Sequence, residues 1–519
     1  MTAIQTSSVG GFHASGFWDR QLTAYPSQTA RRLYLLLVIF ITMMMYYQLF
    51  VAGVVLPLLL PALKIPFKIY VYISAIGSVA GAIASLVAGL GDRLGRIKLV
   101  VIGQICTGLI VLFGVPNAVG PISYGCAIAA VAFTEGLVLV ATPVLVRDFS
   151  PQMSRGTAMG FWTLGPVLGT AVTTAITAWT LPIFHTWQSQ FRIAGVCGLV
   201  TAVVALLFLR ELSPTLRNQR IVHEQDKHLV ELKSRMGRLD AAHKHSGWQM
   251  LRANIIVPAM GIGTLLLFYG VMTGFATLYL TTTFHYSVHE ASVMLTWGWV
   301  ANGVALVVGG MFSDWLGVRK PVMLVGAFVH AILIWVWIQF LHAQSVPSQE
   351  ILTLTICGLL FSCGIAFGLA LTSMTETIEA NNPALMAAGM AVYGWFVRVV
   401  SLIALLTLPS VVTAVDELLK ARAVTAAYQK ALAANGQPSA DLVAAMDRVK
   451  QAIEAASGQW QIWFSVCLGG VVFFMFTLFF YHGRWNPAAA KKDLEDHHAR
   501  TAQELAQLRE QHANSSAPT

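Results

Sequence analysis

Glu135, in "AVAFTEGLVLV", and Arg398, in "YGWFVRVVSLI", are the residues in this chain best placed to do chemistry. Each lies near the middle of a long apolar run. A charge at that depth in a bilayer costs about 2.5–3.5 kcal/mol on insertion scales, so each is expected to face a wet cavity or a partner. The planar guanidinium of an arginine can grip a carboxylate with two charge-assisted hydrogen bonds. A desolvated carboxyl group favours its neutral form, which suits a glutamate to carrying a proton. The alternative is that Glu135 and Arg398 pair with each other as a static bridge.

A second group of charged residues is repeated. Residues 88–98 read "AGLGDRLGRIK" and residues 310–320 read "GMFSDWLGVRK", each between two apolar runs. Aligning them puts Asp92 on Asp314 and Gly95 on Gly317. A chain that reverses within a few residues needs glycine in a tight turn, which is the expected place of Gly95 and Gly317. An aspartate there can sit on the positive end of a neighbouring helix, while Arg96 can pair with an acid at the end of the fourth run, where Asp148 stands. Glu379 holds the corresponding place in the other half. Arg93, Arg155 and Arg319 complete the charged set.

The elements that must hold these residues follow from composition. A chain that is 56% hydrophobic and 11% charged cannot clothe a soluble globule and belongs in a bilayer. About twelve runs are long enough to cross ~30 Å of hydrocarbon as helices: 32–56, 67–91, 98–116, 121–146, 157–182, 191–210, 254–281, 290–312, 321–342, 350–374, 386–409 and 460–481. They lack the alternation of barrel strands. The expected fold is an all-α membrane protein of twelve transmembrane helices in two pseudo-symmetric six-helix bundles. Residues 1–31 form an N-terminal arm, 32–210 the first bundle, 211–252 a linker, 253–482 the second bundle and 483–519 a tail.

Two further pairs support the repeat: Met159 in "SPQMSRGTAMGFW" on Met390 in "NPALMAAGMAVYGW", and "WQSQF" at 187 on "WQIWF" at 460. The last pair is displaced, which marks an insert at about 411–458. This reads as an extramembranous helical hairpin with "NGQPS" as its turn and Ser439 or Asp441 as a cap. It could be a lid, a partner surface or a passive spacer. The net charge of +9 sits mostly in alternate loops, the positive-inside pattern, and argues for cytoplasmic termini rather than nucleic-acid binding. The six cysteines fall inside the apolar runs without CxxC spacing, so neither a disulfide framework nor a metal site is indicated.

Twelve helices, a basic central linker and the doubled turn together resemble the major facilitator superfamily, whose turn reads G-x-L-a-D-R-x-G-R-k. Leu90, Asp92, Arg93, Gly95 and Arg96 match it, and Gly310, Asp314, Gly317, Arg319 and Lys320 repeat it. The resemblance implies that the turns act as latches on the cytoplasmic side. It also implies that helices 1, 4, 7 and 10 line a central cavity flanked by 2, 5, 8 and 11, with Glu135 in one wall and Arg398 in the other. Tyr46, Tyr47, Gln48, Tyr269, Trp297 and Asn302 are candidate walls, and His330 in helix 9 is expected to be peripheral.

Glu135 with Gly136 resembles helix 4 of organic-anion symporters. The resemblance implies a secondary transporter importing a small organic anion with protons, without cofactor, as a monomer in the plasma (inner) membrane. "LGPVLGT" at 164–170 resembles an antiporter signature, so drug:proton efflux is the alternative, and a transporter-like sensor or channel is an alternative of another class. It reads mainly as a packing and kink element. Neither a GxSxG nor a Walker turn is present, so no enzyme is expected.

Overall fold

An apolar run in lipid must satisfy its own backbone hydrogen bonds, and a helix does so within one segment. The computed structural model accordingly has twelve helices long and apolar enough to cross a membrane. It describes residues 21–22, 28–88, 96–149, 152–212, 247–341, 347–382, 385–433 and 438–492. In the first half the helices are Gln28–Val54 with Leu56–Leu63, Phe67–Ala88, Arg96–Leu109, Pro121–Phe149, Gln152–Phe184 and Trp187–Phe208. In the second they are Ala253–Gly274 with Ala276–Thr283, Val288–Leu316, Lys320–Phe340, Gln349–Asn381, Met386–Val411 and Ala440–Thr477. These are spans 1 to 12 below. A parallel pairing of Gln21–Leu22 with Glu211–Leu212 ties the arm to the chain just after span 6.

Spans 1 and 7 are each broken at the same place, and each break is followed by a helix of eight residues. Val55 (ψ 7°) and Phe275 (ψ −1°) are the breaking residues. In span 1, Pro57 lacks the N–H that would continue the ladder; in span 7, Gly274 is the weak helix former. The two breaks abut. A Cβ on Gly53 would stand 2.9 Å from the carbonyl oxygen of Thr273 and 3.0 Å from that of Gly274, so glycine is required for the halves to touch here.

Around this junction the halves are bound together. The Phe67 and Phe275 rings meet edge-on at 5.6 Å, and Tyr70 packs on Phe275 and Tyr124. Spans 5 and 8 are joined by Thr296 Oγ1 donating to Thr174 Oγ1 at 2.9 Å and by His289 Nδ1 and the Ala178 carbonyl at 2.7 Å. One buried core runs through both halves at this end. At the other end, the N-terminal end where span 1 begins, Val38, Ile41, Val100, Val101, Leu145 and Val146 form a separate core drawn from the first half alone. Among the described residues the halves share a buried core at the insert end, and the core at the other end is drawn from the first half alone.

The insert departs from expectation in one respect. Its second helix does not stop before span 12 but runs into it as one helix, Ala440–Thr477. Its first helix, Val415–Ala433, returns along it. Ser439 is the cap, its hydroxyl accepting from the Leu442 N–H, which settles the choice between Ser439 and Asp441.

Candidate functional site

Glu135 is placed by its neighbour. A Cβ on Gly136 would fall 2.5 Å from the Gly81 carbonyl oxygen, and one on Gly81 would fall 3.1 Å from that of Ala132. Spans 2 and 4 therefore cross at close range through small residues, the usual means of helix association in lipid. With Gly136 turned to span 2, Glu135 is turned elsewhere and is 4% exposed. Arg398 lies across the molecule on span 11 and is exposed. The Tyr46 hydroxyl of span 1 is within electrostatic reach of both the Glu135 carboxylate and the Arg398 guanidinium, and the Tyr269 hydroxyl of span 7 is within reach of Tyr46. No ion pair joins Glu135 to Arg398, which overturns the static bridge.

Of the six candidate wall residues, Tyr46 and Tyr269 stand with these charges. Tyr269 also packs edge-on against Trp299 at 5.0 Å, and Tyr46 packs against Phe50 at 5.5 Å. The other four are corrected by helical register. Tyr47 and Gln48 lie 100° and 200° around span 1 from Tyr46 and point into the first half. Tyr47 is buried in the core, and the Gln48 amide lies against Gly198 of span 6. Asn302 binds span 8 to span 10 by donating to the Leu360 carbonyl. Trp297 is 59% exposed on a stripe with Val304, Val308, Met311 and Trp315, opposite the face that meets spans 5 and 10; it faces lipid. Trp299, two residues on, is the buried aromatic of the site. Its spacing in the sequence held no signal for this, because both tryptophans stand in an apolar run.

Asp92, Arg93 and Gly95 lie outside the described residues, as do the side chains of Asp148, Arg155 and Glu379. Arg96 opens span 3. The second copy of the turn is described in full. Gly317 adopts φ 68° and closes span 8, its N–H bonding the Asp314 carbonyl, which is the left-handed turn expected of it. Asp314 does not cap a neighbouring helix: its carboxylate pairs with Arg319 at 3.2 Å. Arg319 Nε reaches span 10 at 2.6 Å through Glu376, one turn before Glu379. The cluster binds spans 8, 9 and 10 of one half together. His330 is not peripheral: it is fully buried against Phe268 of span 7 and Ser362 of span 10. Among the described residues no group of His, Cys, Asp or Glu could hold a metal.

Gly165 and Gly169 press span 5 onto span 1. A Cβ on Gly165 would meet Thr42 at 2.7 Å, and one on Gly169 would meet Tyr46 at 2.5 Å. The 164–170 stretch is a packing element.

Twelve membrane-length helices in two halves that share a buried core at one end define a polytopic helical membrane protein. The family model described as Major Facilitator Superfamily matches residues 38–405. The chain belongs to that superfamily. It is 25% identical over 321 residues to a glycine betaine/proline/ectoine/pipecolic acid transporter of Dickeya dadantii, covering 57% of this chain and 58% of that protein. It is 25% identical over 286 residues to a cis,cis-muconate transport protein of Acinetobacter baylyi, covering 55% and 65%. The chain thus spans about three fifths of the length of these relatives. Among solved structures it resembles a bacterial homolog of the human lysosomal transporter Spinster in an inward-facing, unoccupied conformation, with TM-score 0.62, 15% identity and coverage of 88% and 98%. It also resembles a D-xylose–proton symporter, with TM-score 0.57, 14% identity and coverage of 82% and 96%.

Proposed function

We propose that this transporter imports a small organic anion together with protons by alternating access. It works as a monomer in the inner membrane, with its termini and charged turns on the cytoplasmic side. The observation that carries this reading is the arrangement of Glu135 and Arg398: opposite charges in opposite halves, unpaired, with Tyr46 in reach of both. An unpaired guanidinium between the halves is a ready receptor for a carboxylate. The solutes in the relatives' names, from glycine betaine and proline to muconate, all carry a carboxylate. An anion that engages Arg398 changes the field at Glu135 through the same small volume, so binding and protonation are linked, as a symporter requires. The core shared by both halves at the insert end, among the described residues, supports a resting state open at the opposite, cytoplasmic end. The efflux reading draws no support from residues 164–170, because packing accounts for their glycines.

The test compares a carboxylate solute with its neutral amide on purified protein. Arg398→Lys keeps the charge but loses the fork and is expected to lower carboxylate affinity about tenfold; Arg398→Ala should lower it about a hundredfold, with amide binding little changed. Equal losses for both ligands would make Arg398 a structural residue.

A further inference from the structure

The first N–H groups of any helix lack intrahelical partners and need an acceptor from elsewhere. Phe67 opens span 2, and its N–H donates to Asp416 Oδ1 at 2.8 Å. A carboxylate at a helix N-terminus is favoured both as an acceptor and by the helix dipole. This one comes from 349 residues away, out of the first turn of the insert, and from the opposite half of the molecule.

The insert is built so that Asp416 cannot drift. Gln459, on the long helix that becomes span 12, accepts from the N–H groups of both Thr413 and Ala414 at 2.9 Å, and its Nε2 donates to Thr413 Oγ1 at 2.9 Å. The elbow before Asp416 is thereby stapled to span 12. Ser457 donates to the Leu341 carbonyl at the end of span 9. Val412 and Val415 are buried in the common core, while Ala414, Leu418, Ala452 and Ala456 make a small core within the hairpin. A passive spacer would need none of this. It is a rigid bracket fixed to the second half, with one carboxylate extended onto the first.

We propose that the insert is a strap that holds the insert end shut: Asp416 caps span 2 when the halves are packed at that end and releases it when they part. The proposal rests on the alternating-access reading, in which opening this end separates Phe67 from the bracket. The strap biases the resting carrier toward the state open at its other end. Because a cap is a modest interaction, its loss should shift the equilibrium between the two states and leave the fold intact.

The experiment uses the full-length chain with spin labels at Lys64 and Glu350, which are exposed residues of the two halves at the insert end. Their distance distribution is measured with and without an imposed pH gradient and a carboxylate solute. Asp416→Ala should raise the long-distance population roughly threefold to tenfold, the range set by the loss of one helix cap, and Asp416→Glu should restore the short distance in large part. Gln459→Ala, which loosens the elbow, should produce a smaller rise. Asp416→Asn keeps an acceptor without the charge and should shift the distances in the same direction by less, which covers the case of an alanine variant that does not fold. If solute or the gradient shifts the wild-type distances while the Asp416 variants match wild type, the strap is overturned and alternating access stands. If the wild-type distances never change, both fall.

Discussion

The two ends of this protein are built differently, though the halves that form them are repeats. At the insert end, closure is a matter of shape: Gly53 against the carbonyls of span 7, Phe67 and Tyr70 against Phe275, hydroxyl on hydroxyl between spans 5 and 8. At the N-terminal end the means provided are charges, and in the one copy of the turn that is described they are satisfied within a single half, Asp314 and Glu376 sharing Arg319. Apolar packing is lost steeply as surfaces separate, whereas a charged cluster can exchange partners at little cost near a wet membrane surface. One end can therefore hold a resting state firmly while the other stays ready to open and close.

The strongest challenge to this picture is Glu135→Gln. If the wet, charged region between the halves carries the coupling proton, the variant should lose gradient-driven accumulation altogether, falling from about tenfold per pH unit at one proton per solute to no concentration at all. Solute exchange should persist, because it needs no net proton movement. Proteoliposomes with an imposed pH difference give the reading, and continued accumulation would place the proton elsewhere.

Shape closure is broken more directly by Gly53→Val. The added side chain meets backbone oxygens that cannot yield as a flexible side chain would, and overpacking of this kind costs about 1–3 kcal/mol. Uptake should fall roughly tenfold, and the Lys64 to Glu350 distance should lengthen as the packed end is forced apart. An unchanged distance would show that the breaks in spans 1 and 7 do not govern closure. At the small end of the scale, Trp297→Ala removes a large aromatic from a lipid-facing stripe. It should change thermal stability by no more than about 0.5 kcal/mol and leave transport as it was; a marked loss of affinity would return Trp297 to the site.

Twelve spans, the two halves, the second copy of the turn and the buried Glu135 could all be read in advance. The site was legible in its charges and less so in its walls. Glu135 and Arg398 stood out because ionisable residues are rare in lipid. Tyr46 and Tyr269 were named together with Tyr47, Gln48, Asn302 and Trp297, and only the first two stand with the charges. Ser439 and Gly317 took up their expected roles because cap and turn chemistry is local. Glu376 was passed over for Glu379 because a repeat offset locates an equivalent position only to within a helical turn.

What the sequence by itself determined is therefore the length of each span, the order of the spans and the rarity of charge within them, since hydrocarbon thickness and the cost of desolvation act on each segment alone. Which side of a span meets its neighbour was decided only in the tertiary structure. In water an apolar stripe marks the buried side of a helix, but in a bilayer the lipid side is apolar as well, and the stripe disappears. The same holds for the insert. Its two helices could be written down from their alanines and their turn, yet no pattern along the chain announced that Asp416 would reach across to Phe67, because that contact exists only once both halves have packed.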